Sequence, residues 1–360
     1  MTGTVALLVP ASPERFDGVR DFARDLRDAL APALRVEVVT TRADAAPLDG
    51  ARVIAGWRRF DVSPGTRAII VNYLPTAWLR SETIGLMRTL RRFRKQGGTV
   101  IVVVHEYQID SDGSLRRAAA RAAFRALARA FARRADAVVV THGLAVRRLH
   151  ADGVDRLTRV VLLPAGSTIP MAEPALVAAA HGGSPQSGVV MFGQPAFMDA
   201  AAVRAVARAL AEAGAPPLRW ICRNAEELRR WMATAGIADT DVVIRARLDV
   251  HDASRELLGS ALAFAPITDG VSTRRTTVIT FLHYGLPIVG VKGPATDDLL
   301  EQSGAFALTS QSDADGMATH VLRLLADAGS RERMSAAGRR LFDEQLAWPR
   351  IGRKYLELIA

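Results

Sequence analysis

Short apolar runs rich in valine and isoleucine alternate with longer stretches of helical periodicity almost from one end of the chain to the other. Such alternation is the signature of parallel sheets, because each parallel connection needs a crossover that is usually a helix. The spacing predicts strands at residues 5–10, 34–40, 53–55, 68–73, 99–105, 137–141 and 159–163, with helices at 19–30, 83–95, 115–134 and 144–150. The pattern resumes with strands at 188–192, 218–222, 241–244, 261–265 and 287–291 and helices near 200–212, 225–234, 254–258, 276–283 and 316–326. Between the two halves, residues 164–187 carry four prolines and are rich in glycine, with a short helical turn expected at 175–180. The expected organisation is a first domain over 1–168, a linker over 169–187, a second domain over 188–345 and a final helix over 346–360. A length of 360 residues is enough for two cores. Open α/β sheets bind ligands at the carboxyl ends of their strands, which directs attention to the cleft expected where the two domains face each other.

Charge is unevenly spread. Residues 1–170 hold 27 Lys plus Arg against 16 Asp plus Glu, a net +11, whereas residues 171–360 carry a net −1. From Arg117 to Arg133 an arginine recurs at every fourth position, flanked by Arg116 and Arg134, and Arg88, Arg91, Arg92, Arg94 and Lys95 share another expected helix. A four-residue step is 40° past a full turn, so the arginines wind slowly as a stripe beside the apolar face. The stripe is read as an ordinary solvated helix face or as a basic surface of the N-terminal domain that meets an anionic membrane. Nucleic acid is not an expected partner, because no stacking platform accompanies the charge. One cysteine, Cys222, excludes an internal disulfide framework. The first residues read as a strand and not as a signal peptide, and no transmembrane helix is expected, so a cytoplasmic location is the default. The histidines lack metal-ligand spacing; neither a metal nor a cofactor is expected.

The segment most suggestive of chemistry runs from Ala265 through Asp269, Gly270, Ser272, Arg274, Arg275 and Thr276 into an apolar helix ended by Gly285-Leu286-Pro287. Helix amides, the helix dipole and two guanidinium forks together suit a diphosphate. The plainer alternative is a solvated turn in which Thr276 caps the helix.

With these landmarks in place, the chain resembles the GT-B glycosyltransferases of the family 4, or group 1, type. Residues 16–19 (Phe-Asp-Gly-Val) look like the family's N-terminal glycine loop, and Val102–Glu106 like its strand ending in His-Glu. Residues 135–141 are similar to the strand after the long helix, 163–166 (Leu-Pro-Ala-Gly) to the close of the first domain and 190–193 to the opening strand of the second. Residues 257–266 resemble the strand before the donor loop, 269–275 a variant of that loop, and 331–355 the segment whose last helix crosses back to the first domain.

The resemblance implies two doubly wound Rossmann-like domains and transfer of a sugar from a nucleotide diphosphate sugar to a glycan, lipid-linked or other glycoconjugate acceptor. It implies retention at the sugar, no obligatory metal, and a setting in surface polysaccharide assembly. Arg274 and Arg275 would neutralise the departing diphosphate, with Gly18 and Gly193 admitting backbone amides close to it. Asp269, Gly270, Ser272, Thr276 and Thr280 complete the expected donor site. The family's paired glutamates fall at Ser272 and Thr280, and its Arg and Lys after the second domain's first strand are replaced by residues 194–198 (Gln-Pro-Ala-Phe-Met). His105, at an expected strand end, would act at the transferred sugar, with Glu106, Asn72 and Tyr73 on the acceptor side. The departures leave a second expectation: a non-catalytic GT-B subunit that supports an active partner. An anionic-polymer binder is a third.

Overall fold

The computed structural model describes residues 3–11, 18–41, 48–78, 83–107, 115–171 and 187–360. The expected glycine-loop residues Phe16 and Asp17 and the turn expected at 175–180 lie outside the described residues.

The chain divides into two compact units, one formed by Met1–Ala165 with Trp348–Ala360 and the other by Gly166–Ala347. In the first unit the order is β1 (Thr4–Leu8), α1 (Gly18–Leu30), β2 (Arg35–Thr41), β3 (Arg52–Ile54), β4 (Thr66–Tyr73), α2 (Pro75–Trp78), α3 (Thr83–Lys95), β5 (Thr99–Val104), α4 (Leu115–Ala132), β6 (Ala137–Val140), α5 (Gly143–Ala151) and β7 (Arg159–Leu162). These strands form one parallel sheet in the order β3-β2-β1-β4-β5-β6-β7. Both faces are covered. Ile69, Val71 and Tyr73 of β4 enter one apolar cluster while Ala68 and Ile70 enter the other. A strand buried on both sides has no polar face, which is why β4 and β5 read as continuous apolar runs.

The second unit contains β8 (Val189–Phe192), α6 (Ala200–Glu212), β9 (Leu218–Cys222), α7 (Ala225–Ala235), β10 (Val242–Ala246), α8 (Val250–Leu258), β11 (Leu262–Ala265), α9 (Thr276–His283), β12 (Ile288–Lys292), α10 (Asp298–Glu301), β13 (Phe306–Ser310), α11 (Ala314–Ala326) and α12 (Ala328–Leu341). Its six strands are parallel in the order β10-β9-β8-β11-β12-β13. The helix expected at 254–258 begins four residues earlier, because the Asp249 carboxylate caps it by accepting the Asp252 N–H at 2.8 Å. The helix expected to reach residue 134 ends at Ala132. Strand β13 and helix α12 are additions to the expected elements.

The last helix, α13 (Trp348–Ile359), packs within the first unit. Its Ile351, Tyr355 and Ile359 share a core with Phe22, Leu26 and Leu30 of α1. Gly352 is the point of closest approach, where a Cβ would lie 2.9 Å from the Ala29 carbonyl oxygen. Among the described residues no helix is long and apolar enough to cross a membrane.

Candidate functional site

In each sheet the strand order reverses once, between β1 and β4 and between β8 and β11. Such switch points leave a crevice at the carboxyl edge. The predicted residues gather near these two edges, one in each unit.

In the first unit, β5 delivers His105 immediately past its last residue. The imidazole Nε2 lies 2.8 Å from Asn72 Oδ1 on β4, and Asn72 Nδ2 donates to the Leu8 carbonyl at the end of β1 at 3.1 Å. Because the Asn72 amide nitrogen is spent on a carbonyl, its oxygen is the acceptor and Nε2 of His105 carries the proton. Phe22 meets the imidazole edge-on at 4.9 Å, closing one side of the ring, and Phe22 itself packs against Trp348 at 5.4 Å. Glu106 is exposed beside it. Asn72 is fully buried and serves as the orienting partner of His105. Tyr73 departs from its expected acceptor role: its side chain is fully buried, its hydroxyl donates to the Phe124 carbonyl at 3.2 Å, and burial pushes its ionisation upward. Gly18 opens α1 at an exposed position, where a Cβ would meet nothing within 4 Å. The chain itself imposes no steric need for glycine there.

In the second unit, the loop after β11 is pinned to the loop after β8. The Asp199 N–H donates to the Pro266 carbonyl at 2.7 Å and the Thr268 N–H to the Phe197 carbonyl at 3.0 Å. Asp269 accepts from both neighbouring arginines, from Arg274 Nη2 at 2.6 Å and from Arg275 Nη2 at 2.9 Å. The Arg275 guanidinium also lies 4.8 Å from the centre of the Phe197 ring, whose face is substantially exposed. Arg274 Nε is buried and makes no hydrogen bond. The N-cap of α9 is Arg275, and Thr276 is its first helical residue, so Thr276 does not cap the helix; no side chain does. Two guanidinium groups thus stand beside a helix start whose dipole is not answered by a cap.

Four expected donor residues take other roles. Ser272 and Thr280 are fully buried, with Thr280 Oγ1 held 3.1 Å from Ser167 Oγ, so neither hydroxyl is presented to a ligand. Gly270 has φ +96°, and a Cβ there would fall 2.6 Å from the Gly293 backbone nitrogen; it is a glycine for backbone contact. The Gly193 amide donates to the Ile221 carbonyl at 3.1 Å and its carbonyl accepts from Trp220 Nε1 at 3.0 Å, so it is spent inside the sheet edge.

Two residues absent from the sequence expectations matter here. Asp297, at the start of α10, is buried, and its Oδ2 accepts from both the backbone N–H and the hydroxyl of Thr273, each at 2.7 Å. It makes no cap bond to its own helix. Its carboxylate instead anchors the residue immediately before the two arginines. Phe197 is the other; an exposed aromatic in a loop after a strand was its only sequence signal. Among the described residues no group of three or more His, Cys, Asp or Glu is placed to hold a metal.

No protein-family model matches the sequence, and no curated protein sequence matches it either. Solved structures do. The chain is similar to a sucrose-phosphate synthase from Thermosynechococcus elongatus, at TM-score 0.71 and 17% identity over 99% of this chain and 98% of that one. It is also similar to Anabaena HepE in complex with UDP and glucose, at TM-score 0.70 and 13% identity over 99% and 98% of the two chains. A UDP-forming trehalose-phosphate synthase from Burkholderia vietnamiensis matches at TM-score 0.66 and 14% identity over 99% and 96%. The fold is the α/β GT-B class, with two doubly wound parallel sheets.

Proposed function

We propose that the protein is a glycosyltransferase that moves a sugar from a nucleotide diphosphate sugar to a glycan, lipid-linked or other glycoconjugate acceptor, with retention and without a required metal. The observation that carries this reading is the pair Arg274 and Arg275, held at the uncapped start of α9 on the switch-point edge of the second sheet. As the glycosidic bond breaks, negative charge grows on the departing diphosphate. Guanidinium groups and helix amides fixed beforehand stabilise that charge without reorganising at the moment of reaction. They take the place that a metal ion would otherwise fill. In the unliganded site Asp269 accepts from both arginines, so it holds them in place and competes with the incoming phosphates. His105, its ring oriented by the Nε2–H bond to Asn72 Oδ1, is the residue assigned to contact the transferred sugar. The nucleotide is assigned to UDP by likeness to the UDP-bound Anabaena protein.

The test is a thermal-shift panel of UDP, GDP, ADP and TDP, with their sugars, followed by calorimetry on the best ligand. A ligand that binds only the folded state raises its melting temperature. Arg274→Ala combined with Arg275→Ala should abolish the shift and leave the unliganded melting temperature within a few degrees, since partly exposed ion pairs contribute little to stability. Unchanged nucleotide affinity in that double variant refutes the phosphate site. Silence across the panel in folded protein favours a non-catalytic subunit.

A further inference from the structure

A second charged region lies in the first unit, at the other edge of the sheet from His105. The last turn of α3 and the residues just after α4 surround a depression of about 420 Å³ lined by Arg91, Arg94, Lys95, Arg133 and Arg134. Both helix ends lead into the starts of strands β5 and β6, so this is the amino edge. Among the described residues, the carboxylate engaged there is Asp136, which pairs with Arg94 at 2.7 Å. Helices α3 and α4 contain no acidic residue. Arg134 is fixed across the gap, with Nε on the Met87 carbonyl at 3.2 Å and Nη1 on the Ala130 carbonyl at 2.6 Å. Burial, then Arg91 and Arg133, lower its pKa, as expected of a cation among cations with no counterion of its own.

The depression adjoins a second one of about 460 Å³ that shares Arg91 and Arg134 but is otherwise walled largely by apolar groups, among them Met87, Leu127 and Ala130. Ile84 stands on its rim and is 61% exposed, more than any other large apolar side chain among the described residues. Ile84, Arg88, Arg91 and Lys95 follow one another at steps of four, three and four along α3, so one face of that helix presents an apolar tip and then a row of cations. Cations beside an exposed aliphatic side chain match a surface that is anionic outside and hydrocarbon within. Nucleic acid fits less well, because Trp78, the aromatic that lines the second depression, is fully buried and offers no stacking surface.

We propose that the α3–α4 face docks on an anionic phospholipid bilayer, with Ile84 entering the acyl boundary and the arginines around the depression meeting lipid phosphates. The site is separate from the nucleotide site and its test uses no nucleotide, so either reading stands or falls without the other.

The full-length protein is floated with vesicles of phosphatidylcholine alone and of phosphatidylcholine mixed with phosphatidylglycerol. Binding is expected to the mixed vesicles only, and to weaken as salt rises. Arg91→Gln with Arg133→Gln should weaken it by roughly fivefold per charge removed, whereas Arg229→Gln with Arg230→Gln, an equal charge loss on exposed α7 positions, should leave it unchanged. Ile84→Ser should weaken it about tenfold at constant charge. All these positions are exposed, and circular dichroism melts confirm that the variants fold. No binding to mixed vesicles overturns the proposal, as does binding that Ile84→Ser leaves intact, or binding to duplex DNA in place of vesicles.

Discussion

Replacing Asp297 by alanine should loosen the arginine loop from a position that touches neither arginine. Its carboxylate is 6% exposed and accepts two short hydrogen bonds from Thr273, which is itself 1% exposed. A hydrogen bond to a charged acceptor contributes about 1.5–3 kcal/mol, and a buried donor left unsatisfied costs about 1–3 kcal/mol. Two such donors orphaned together give on the order of 3–5 kcal/mol for Asp297→Ala. Asp297→Asn keeps an acceptor oxygen, loses only the charge assistance and should cost about 1 kcal/mol. Hydrogen exchange read by mass spectrometry over peptides spanning 268–278 is the assay, since about 3 kcal/mol corresponds to roughly a hundredfold rise in the opening equilibrium. Urea unfolding followed by tryptophan fluorescence reports on the same unit through Trp220 and Trp231. Nucleotide affinity should fall with the exchange protection, more in the alanine variant than in the asparagine one. An alanine variant with native exchange and native unfolding refutes the view that Asp297 holds the loop.

Asp269→Asn should tighten nucleotide diphosphate binding up to about fivefold by calorimetry, because it releases two partly exposed ion pairs worth roughly 0.5 kcal/mol each; weaker binding would show that the carboxylate's orienting role dominates. Asp25, whose side chain is 15% exposed, has its pKa pushed up to about 6 by burial against the opposing hydrogen bond from Arg24. A carboxyl that binds its proton more tightly when folded stabilises the protein below its unfolded pKa, and that contribution is lost as pH rises through about 6. Asp25→Asn should therefore melt higher than the parent at pH 8, by on the order of 1–3 kcal/mol, and match it near pH 4; equal melting temperatures at both values would refute the assignment.

Strands buried on both faces are legible in a sequence because nothing polar interrupts them, and β4, β5 and β12 are read to within two residues. Strand β13 is an edge strand whose Phe306, Ala307 and Leu308 are only half-buried, so Phe-Ala-Leu-Thr-Ser carries neither a continuous apolar run nor a clean alternation. Helix α12 escapes notice because two glycines and four arginines dilute its apolar stripe. At the site, residue types could be read but partnerships could not. The Asn72–His105 contact spans 33 positions and the Asp297–Thr273 contact 24, and no local pattern announces either. The buried state of Thr280 has the same origin: a hydroxyl in an apolar helix reads alike whether it faces a ligand or, as here, Ser167, and the loop hydroxyl of Ser272 is no easier to place.

The return of α13 to the first unit bears on how the chain is made. Residues Ile351, Tyr355 and Ile359 complete a core begun by Phe22, Leu26 and Leu30, yet the 182 residues of Gly166–Ala347 are synthesised in between. At about 5–20 residues per second that is a wait of roughly 10–40 s with one flank of α1 bare. Until translation reaches residue 348 the nascent first unit keeps that apolar flank uncovered, so this is the stage of synthesis at which the chain is expected to be most prone to aggregation and proteolysis.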